Sequence, residues 1–160
     1  MSFDLTVHFP TVRKPSPQQW QAAIAERGFP LKLDTDRDIT ALTGSLPCEY
    51  QGKAGVFEAS YSVLSPDDLR YLELPESSPS QVFFSTRAPK EEFLSAVIAA
   101  AVLAEMTGGL LVDPQEGKTH EDAEAIAWAR ELERTYENPT AVLRAGNHGT
   151  RSPKPWWKFW

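Results

Sequence analysis

The side chains able to move protons, attack carbonyls or hold a metal are three histidines, one cysteine and 22 Asp and Glu. Asp34, Asp36 and Asp38 carry the first three spacings of a calcium loop. That pattern then fails, because Ile39 stands where the turn needs Gly and Ser45 where a bidentate Glu belongs. His8, His120 and His148 show no HExxH or other paired ligand spacing, so no metal centre is expected. Cys48 stands alone in an apolar context, which predicts a buried, inert thiol and excludes an internal disulfide or a CxxC pair. Gly108-Gly109 belongs to no phosphate-binding loop, and the serine-rich segments contain no GxSxG. The expectation is a protein without catalytic motif or cofactor. The enzyme alternative is a cleft that brings His8, Cys48 and the Asp113 turn together, and their mutual distance decides it.

Charge is distributed unevenly. Sixteen Lys and Arg against 22 Asp and Glu give −6 overall, which disfavours nonspecific attraction to nucleic acid and favours a basic partner. Between Asp113 and Glu137 there are eight acids against Lys118, Arg130 and Arg134, so this one segment carries −5. Asp113, Glu116, Glu121, Asp122 and Glu124 are its candidate partner-binding side chains, and Asp67 and Asp68 in the Pro- and Ser-rich stretch from Ser65 to Ser80 are a second set. A solvated helix face is the plain reading of such a run, and a surface that steers a cationic protein is the functional one. The segment 139–160 reverses the sign, with four cations and no acid, and places three of five tryptophans in its last five residues. Trp156 and Trp157 are candidate anchors that dock on the domain, on a partner, or on a second copy in a homodimer.

These residues are carried by elements that the pattern predicts. Phe3, Leu5, Val7 and Phe9 alternate with polar residues, the period of a strand with one buried face. Ser16, Pro17 and Gln19 form a capping-box start for a helix that buries Trp20, Ala23 and Ile24 and stops at Gly28. A short extended segment follows at Phe29 to Leu33. Gly44–Tyr50 and Gly55–Leu64 predict a hairpin turning at Gln51-Gly52-Lys53, Asp67 to Leu72 one helical turn, and Gln81 to Thr86 a further strand. Pro89, Glu91 and Glu92 open a helix through Met106 that is apolar nearly all round and ends at Gly108 or Gly109. Leu110 to Val112 predicts a short strand, and Thr119 the cap of a last helix from about His120 to Tyr136.

The order predicts one α+β domain over 1–138, an antiparallel or mixed sheet of five or six strands with three helices, followed by the basic tail. At 160 residues and 41% hydrophobic composition the chain can bury a core of its own. The longest mainly apolar stretch, Phe93 to Ala104, is short of the roughly 20 residues that a bilayer needs, so no membrane span is expected. Surface binding through the Trp and Lys of the tail ranks third among its readings, behind self-docking and a protein partner, because the stretch is short and most of the chain acidic, and no membrane partner is expected. The opening MSFDLTVHFP has neither a basic lead-in nor a continuous apolar region, which predicts a cytoplasmic protein.

The run Ser95-Ala96-Val97-Ile98-Ala99-Ala100-Ala101-Val102-Leu103-Ala104-Glu105-Met106-Thr107-Gly108-Gly109-Leu110-Leu111-Val112-Asp113-Pro114-Gln115-Glu116-Gly117 and the ending Lys154-Pro155-Trp156-Trp157-Lys158-Phe159-Trp160 carry a resemblance. In them the chain resembles the small cytoplasmic immunity proteins encoded beside bacterial polymorphic or type VI secreted toxins. The resemblance implies a noncatalytic domain that plugs the active site of a cognate toxin or holds it inactive; the acidic charge adds the expectation that the toxin's surface is basic. It brings no catalytic residue with it. A structural or adaptor subunit that self-associates through the aromatic tail is the competing class.

Overall fold

The computed structural model describes residues 2–87 and 89–137. Seven strands form one antiparallel sheet: β1 (Phe3–Phe9), β2 (Leu31–Leu33), β3 (Thr43–Tyr50), β4 (Lys53–Val63), β5 (Ser80–Thr86), β6 (Leu110–Asp113) and β7 (Lys118–Glu121). Their spatial order is β2-β3-β4-β5-β1-β6-β7, so the first strand of the chain lies inside the sheet. Four helices accompany it: α1 (Pro17–Glu26), α2 (Pro66–Tyr71), α3 (Lys90–Thr107) and α4 (Asp122–Glu137). The expected α+β class stands, with seven strands in place of five or six and a sheet that is antiparallel throughout.

Alternation sets the core. Phe3, Leu5, Val7 and Phe9 face the helices in register with Thr86, Phe84, Val82 and Ser80 of β5, and all eight are buried. Phe3 meets Phe93 of α3 edge-on at 4.8 Å, and Trp20 of α1 meets Phe84 at 6.1 Å. Each such ring buried contributes about 1.5–3 kcal/mol. α3 is the hub, because the sheet covers one side while α1 and α4 pack on others, so an all-round apolar surface is what burial demands. The Trp20 indole donates to the Ala99 carbonyl at 3.1 Å, pinning α1 to α3.

Local chemistry starts and stops these elements. α1 has the expected capping box, with the Ser16 hydroxyl accepting from the Gln19 amide at 3.0 Å and the Gln19 side chain accepting from the Ser16 amide at 2.8 Å. α2 repeats the device with Ser65 and Asp68. Gly108, at φ 63°, closes α3. Gly109 is required for another reason: a Cβ there would stand 2.4 Å from the His8 carbonyl oxygen, so only glycine lets α3 hand the chain to β6 beside β1.

One expectation is corrected. Thr119 does not cap a helix, since it lies inside β7, and α4 starts three residues later at Asp122. Asp122 itself takes φ 51°, the left-handed turn that lets a strand run into a helix without a loop. The proposed tail, 139–160, lies outside the described residues. Among the described residues no helix is long and apolar enough to cross a membrane.

Candidate partner-binding surface

The acid-rich segment is built on β6, a turn, β7 and the first turns of α4. Leu111 holds β6 in the core, and Leu111 and His120 stand opposite each other across the β6–β7 pair. Asp113, a candidate partner-binding acid, faces inward instead and is 2% exposed. Its carboxylate accepts the main-chain N–H groups of Gln115 at 3.0 Å and Glu116 at 3.3 Å, which shapes the turn. Burial pushes its carboxyl above the ordinary range, against those two amides. Asp113 is thus buried and shapes the turn.

Glu116, Glu121, Asp122 and Glu124 remain at the surface. Glu116 pairs with Lys118 at 3.2 Å. Glu124 stands 3.6 Å from Nδ1 of His120, a ring that is buried and stacked on Trp128 at 4.6 Å and 18°. Glu121 and Asp122 have no ion pair among the described residues. Exposed pairs of this kind are worth little and exchange readily for a better partner, so this corner keeps its negative potential. Sequence spacing did not anticipate the His120–Trp128 stack, because it took both residues for members of one helix; the i,i+8 distance meets only when the first lies on a strand.

The second acidic set is used differently. Asp67 pairs with Arg70, and Asp68 closes the α2 capping box, although both carboxylates are exposed. Asp34 accepts from the Asp36 amide at 3.0 Å, and Asp38 from the Thr40 amide and hydroxyl at 3.0 and 2.7 Å. Those hydrogen bonds, with Lys14 nearby, lower the Asp38 carboxyl to about 2. Among the described residues no group of three or more His, Cys, Asp or Glu is placed to hold a metal. Trp156 and Trp157 lie outside the described residues.

The cleft of His8, Cys48 and Asp113 does not form. β4 and β5 stand between β3, which carries Cys48, and β1, which carries His8. His8 points to the sheet face away from α3, whereas Cys48 and Asp113 share the other face. The His8 Nε2 meets the Thr6 hydroxyl at 2.9 Å, and burial lowers the imidazole to about 4. Burial also raises the Cys48 thiol, opposed by a hydrogen bond with Ser95 and assisted by Glu92. A groove of about 620 Å³ that periodicity could not foresee lies where α1 crosses the end of α3, lined by Arg13, Arg27, Glu105 and Met106 among others. Its Arg27 pairs with Glu105, and its Arg13 reaches the Thr107 carbonyl at 3.5 Å, complementing the negative end of α3.

Compared with protein-family models, with curated proteins and with solved structures, the chain finds no match.

Proposed function

We propose that this chain is a noncatalytic protein-binding domain, an immunity protein that neutralises a cognate secreted bacterial toxin by occlusion, with the β7–α4 corner meeting a basic surface on that toxin. The observation that carries the reading is the corner itself: Glu121 and Asp122 exposed and without an ion pair among the described residues, with Glu116 and Glu124 beside them. A cationic partner gains there without first breaking strong contacts. The same acids accelerate encounter and select against other acidic surfaces. The separation of His8, Cys48 and Asp113 removes the one proton-transfer cleft that the sequence suggested.

The test is simultaneous charge reversal, Glu121→Lys, Asp122→Lys and Glu124→Lys, measured by calorimetry against the toxin-like protein encoded beside the gene. At about 1 kcal/mol or more per reversed charge, affinity falls at least 100-fold and the salt dependence of binding weakens. Unchanged affinity in a folded variant overturns the acidic corner as the docking surface.

A further inference from the structure

The two outer edges of the sheet are treated differently. At β2 the amide side chain of Gln21 donates to the Leu31 carbonyl at 3.0 Å and accepts the Leu33 N–H at 2.6 Å, so a helix residue stands in for a missing strand. Gln115 does the same inside the sheet, where β6 is too short to reach Asp4. With its amide oriented to satisfy both groups, it donates to the Asp4 carbonyl at 2.8 Å and accepts the Asp4 N–H at 3.1 Å. Asp4 therefore directs its main-chain groups toward β6, and by the two-residue period so do Thr6 and His8, opposite Val112 and Leu110. Leu111 and Asp113 must then bond to β7, through His120 and Lys118. Thr119, between those two, is left with its N–H and C=O directed out of the sheet. No described residue supplies a surrogate there as Gln21 does at β2.

We infer that the β7 edge receives an extended basic segment of the partner, which adds an eighth strand by pairing with the Thr119 main chain. This rests on the reading of the β7–α4 corner as the docking surface and specifies how that surface works. Strand addition supplies main-chain hydrogen bonds, and alternate side chains supply selectivity. The selectivity follows from the flanking charges: Glu116, Glu121, Asp122 and Glu124 surround the edge, against Lys118 alone. An incoming strand with Lys or Arg at alternate positions satisfies them, whereas a second copy would set these acids against their own kind.

The probe is a fluorescein-labelled peptide, Lys-Val-Lys-Val-Lys-Thr, with a second version N-methylated at the amides of alternate residues. Thr119→Pro is the matching change in the protein, because proline is tolerated at an edge position whose N–H points outward. Strand addition requires at least a tenfold loss of peptide affinity on Thr119→Pro and on peptide N-methylation alike, with slowed amide exchange at Thr119 in the unmodified complex and no change at His120. If both changes leave affinity intact while Glu121→Gln with Asp122→Asn abolishes it, strand addition is overturned and the acidic corner survives. If the unmodified peptide fails to bind at millimolar concentration, strand addition is overturned also, and the charge-reversal measurement judges the corner by itself. The methylated peptide leaves the protein unaltered, so a misfolded Thr119→Pro variant cannot imitate the result. Peptide-independent dimerisation of the wild-type chain that Thr119→Pro abolishes would assign the edge to a second copy and overturn the basic segment.

Discussion

The β2 and β7 edges are both short strands, of three and four residues, yet one is sealed and the other is left unpaired among the described residues. At β2 the seal comes from one turn of α1. Gln21 is one residue after Trp20, so the burial of Trp20 against α3 also aims Gln21 at Leu31 and Leu33. At β7 the neighbouring helix cannot serve, because α4 starts directly at the strand's end through Asp122 and turns back over α3. Unpaired edges invite association, and natural sheets usually protect them with charge or brevity. β7 has both, in Lys118 and Glu121, which limits indiscriminate pairing while keeping a selective one open.

Acidification should test the strands between the edges most strongly. His8 is held neutral in the fold, with its imidazole lowered to about 4, whereas in the unfolded chain it takes a proton near 6.5. Stability is therefore intact above pH 6.5 and falls as pH drops toward 4, by about 3 kcal/mol in all. Asp113 works in the opposite sense, since its raised carboxyl takes a proton in the fold before it does in the unfolded chain. Urea unfolding from pH 7 to 4 should show a slope that His8→Gln flattens, and amide exchange should report both edges weakening together, because β1 lies between them.

Removing the seal should affect one edge alone. Gln21→Ala leaves the Leu33 N–H and Leu31 carbonyl without their partner, a loss of about 2 kcal/mol for two buried or half-buried bonds. Urea denaturation should give that loss, and exchange at Leu33 should accelerate while Leu111 stays protected. Sedimentation of the same variant should reveal more concentration-dependent association than in the wild-type chain, through β2.

A smaller loss is expected where α4 is fastened back to the β3 side. The Tyr50 hydroxyl lies 3.1 Å from a Glu133 oxygen and 3.4 Å from a Glu137 oxygen, and burial with those two carboxylates raises the phenol far above its ordinary value. Tyr50→Phe should cost about 1 kcal/mol, because the carboxylates can recover water. Near-ultraviolet circular dichroism during thermal unfolding is the check, and affinity at the β7 corner should be unchanged. The smallest effect has the other sign. Gln51 takes φ 51° in the β3–β4 turn, followed by Gly52 at φ 79°, so Gln51→Asn should stabilise by about 0.5 kcal/mol in the same assay.

What the sequence made legible was whatever a single segment decides. The capping box at Ser16, the alternation of Phe3 to Phe9, the β3–β4 hairpin and the end of α3 at Gly108 each depend on neighbours a few residues apart, and each is found. β7 escaped because Lys118-Thr119-His120-Glu121 has no apolar alternation, and its strand character comes from β6 across the turn. The same error hid the candidate site. With Thr119 read as a cap, neither the open edge nor the His120–Trp128 stack could be seen, and Asp113 counted as one more surface acid. The surrogate roles of Gln21 and Gln115 are long-range contacts that no local pattern encodes.

The position of β1 has a consequence for how the protein is made. Its partners, β5 and β6, begin 70 or more residues later in the chain, so Phe3, Leu5, Val7 and Phe9 leave the ribosome long before anything can pair with them. At about 5–20 residues per second that interval is roughly 4–15 s. Meanwhile β2, β3 and β4 can form their local hairpins, but α3, which has no polar face to show to water, must follow them. The middle of the sheet thus closes only after β5 and β6 have emerged, and of the described strands β6 and β7, which carry the acidic corner, emerge last.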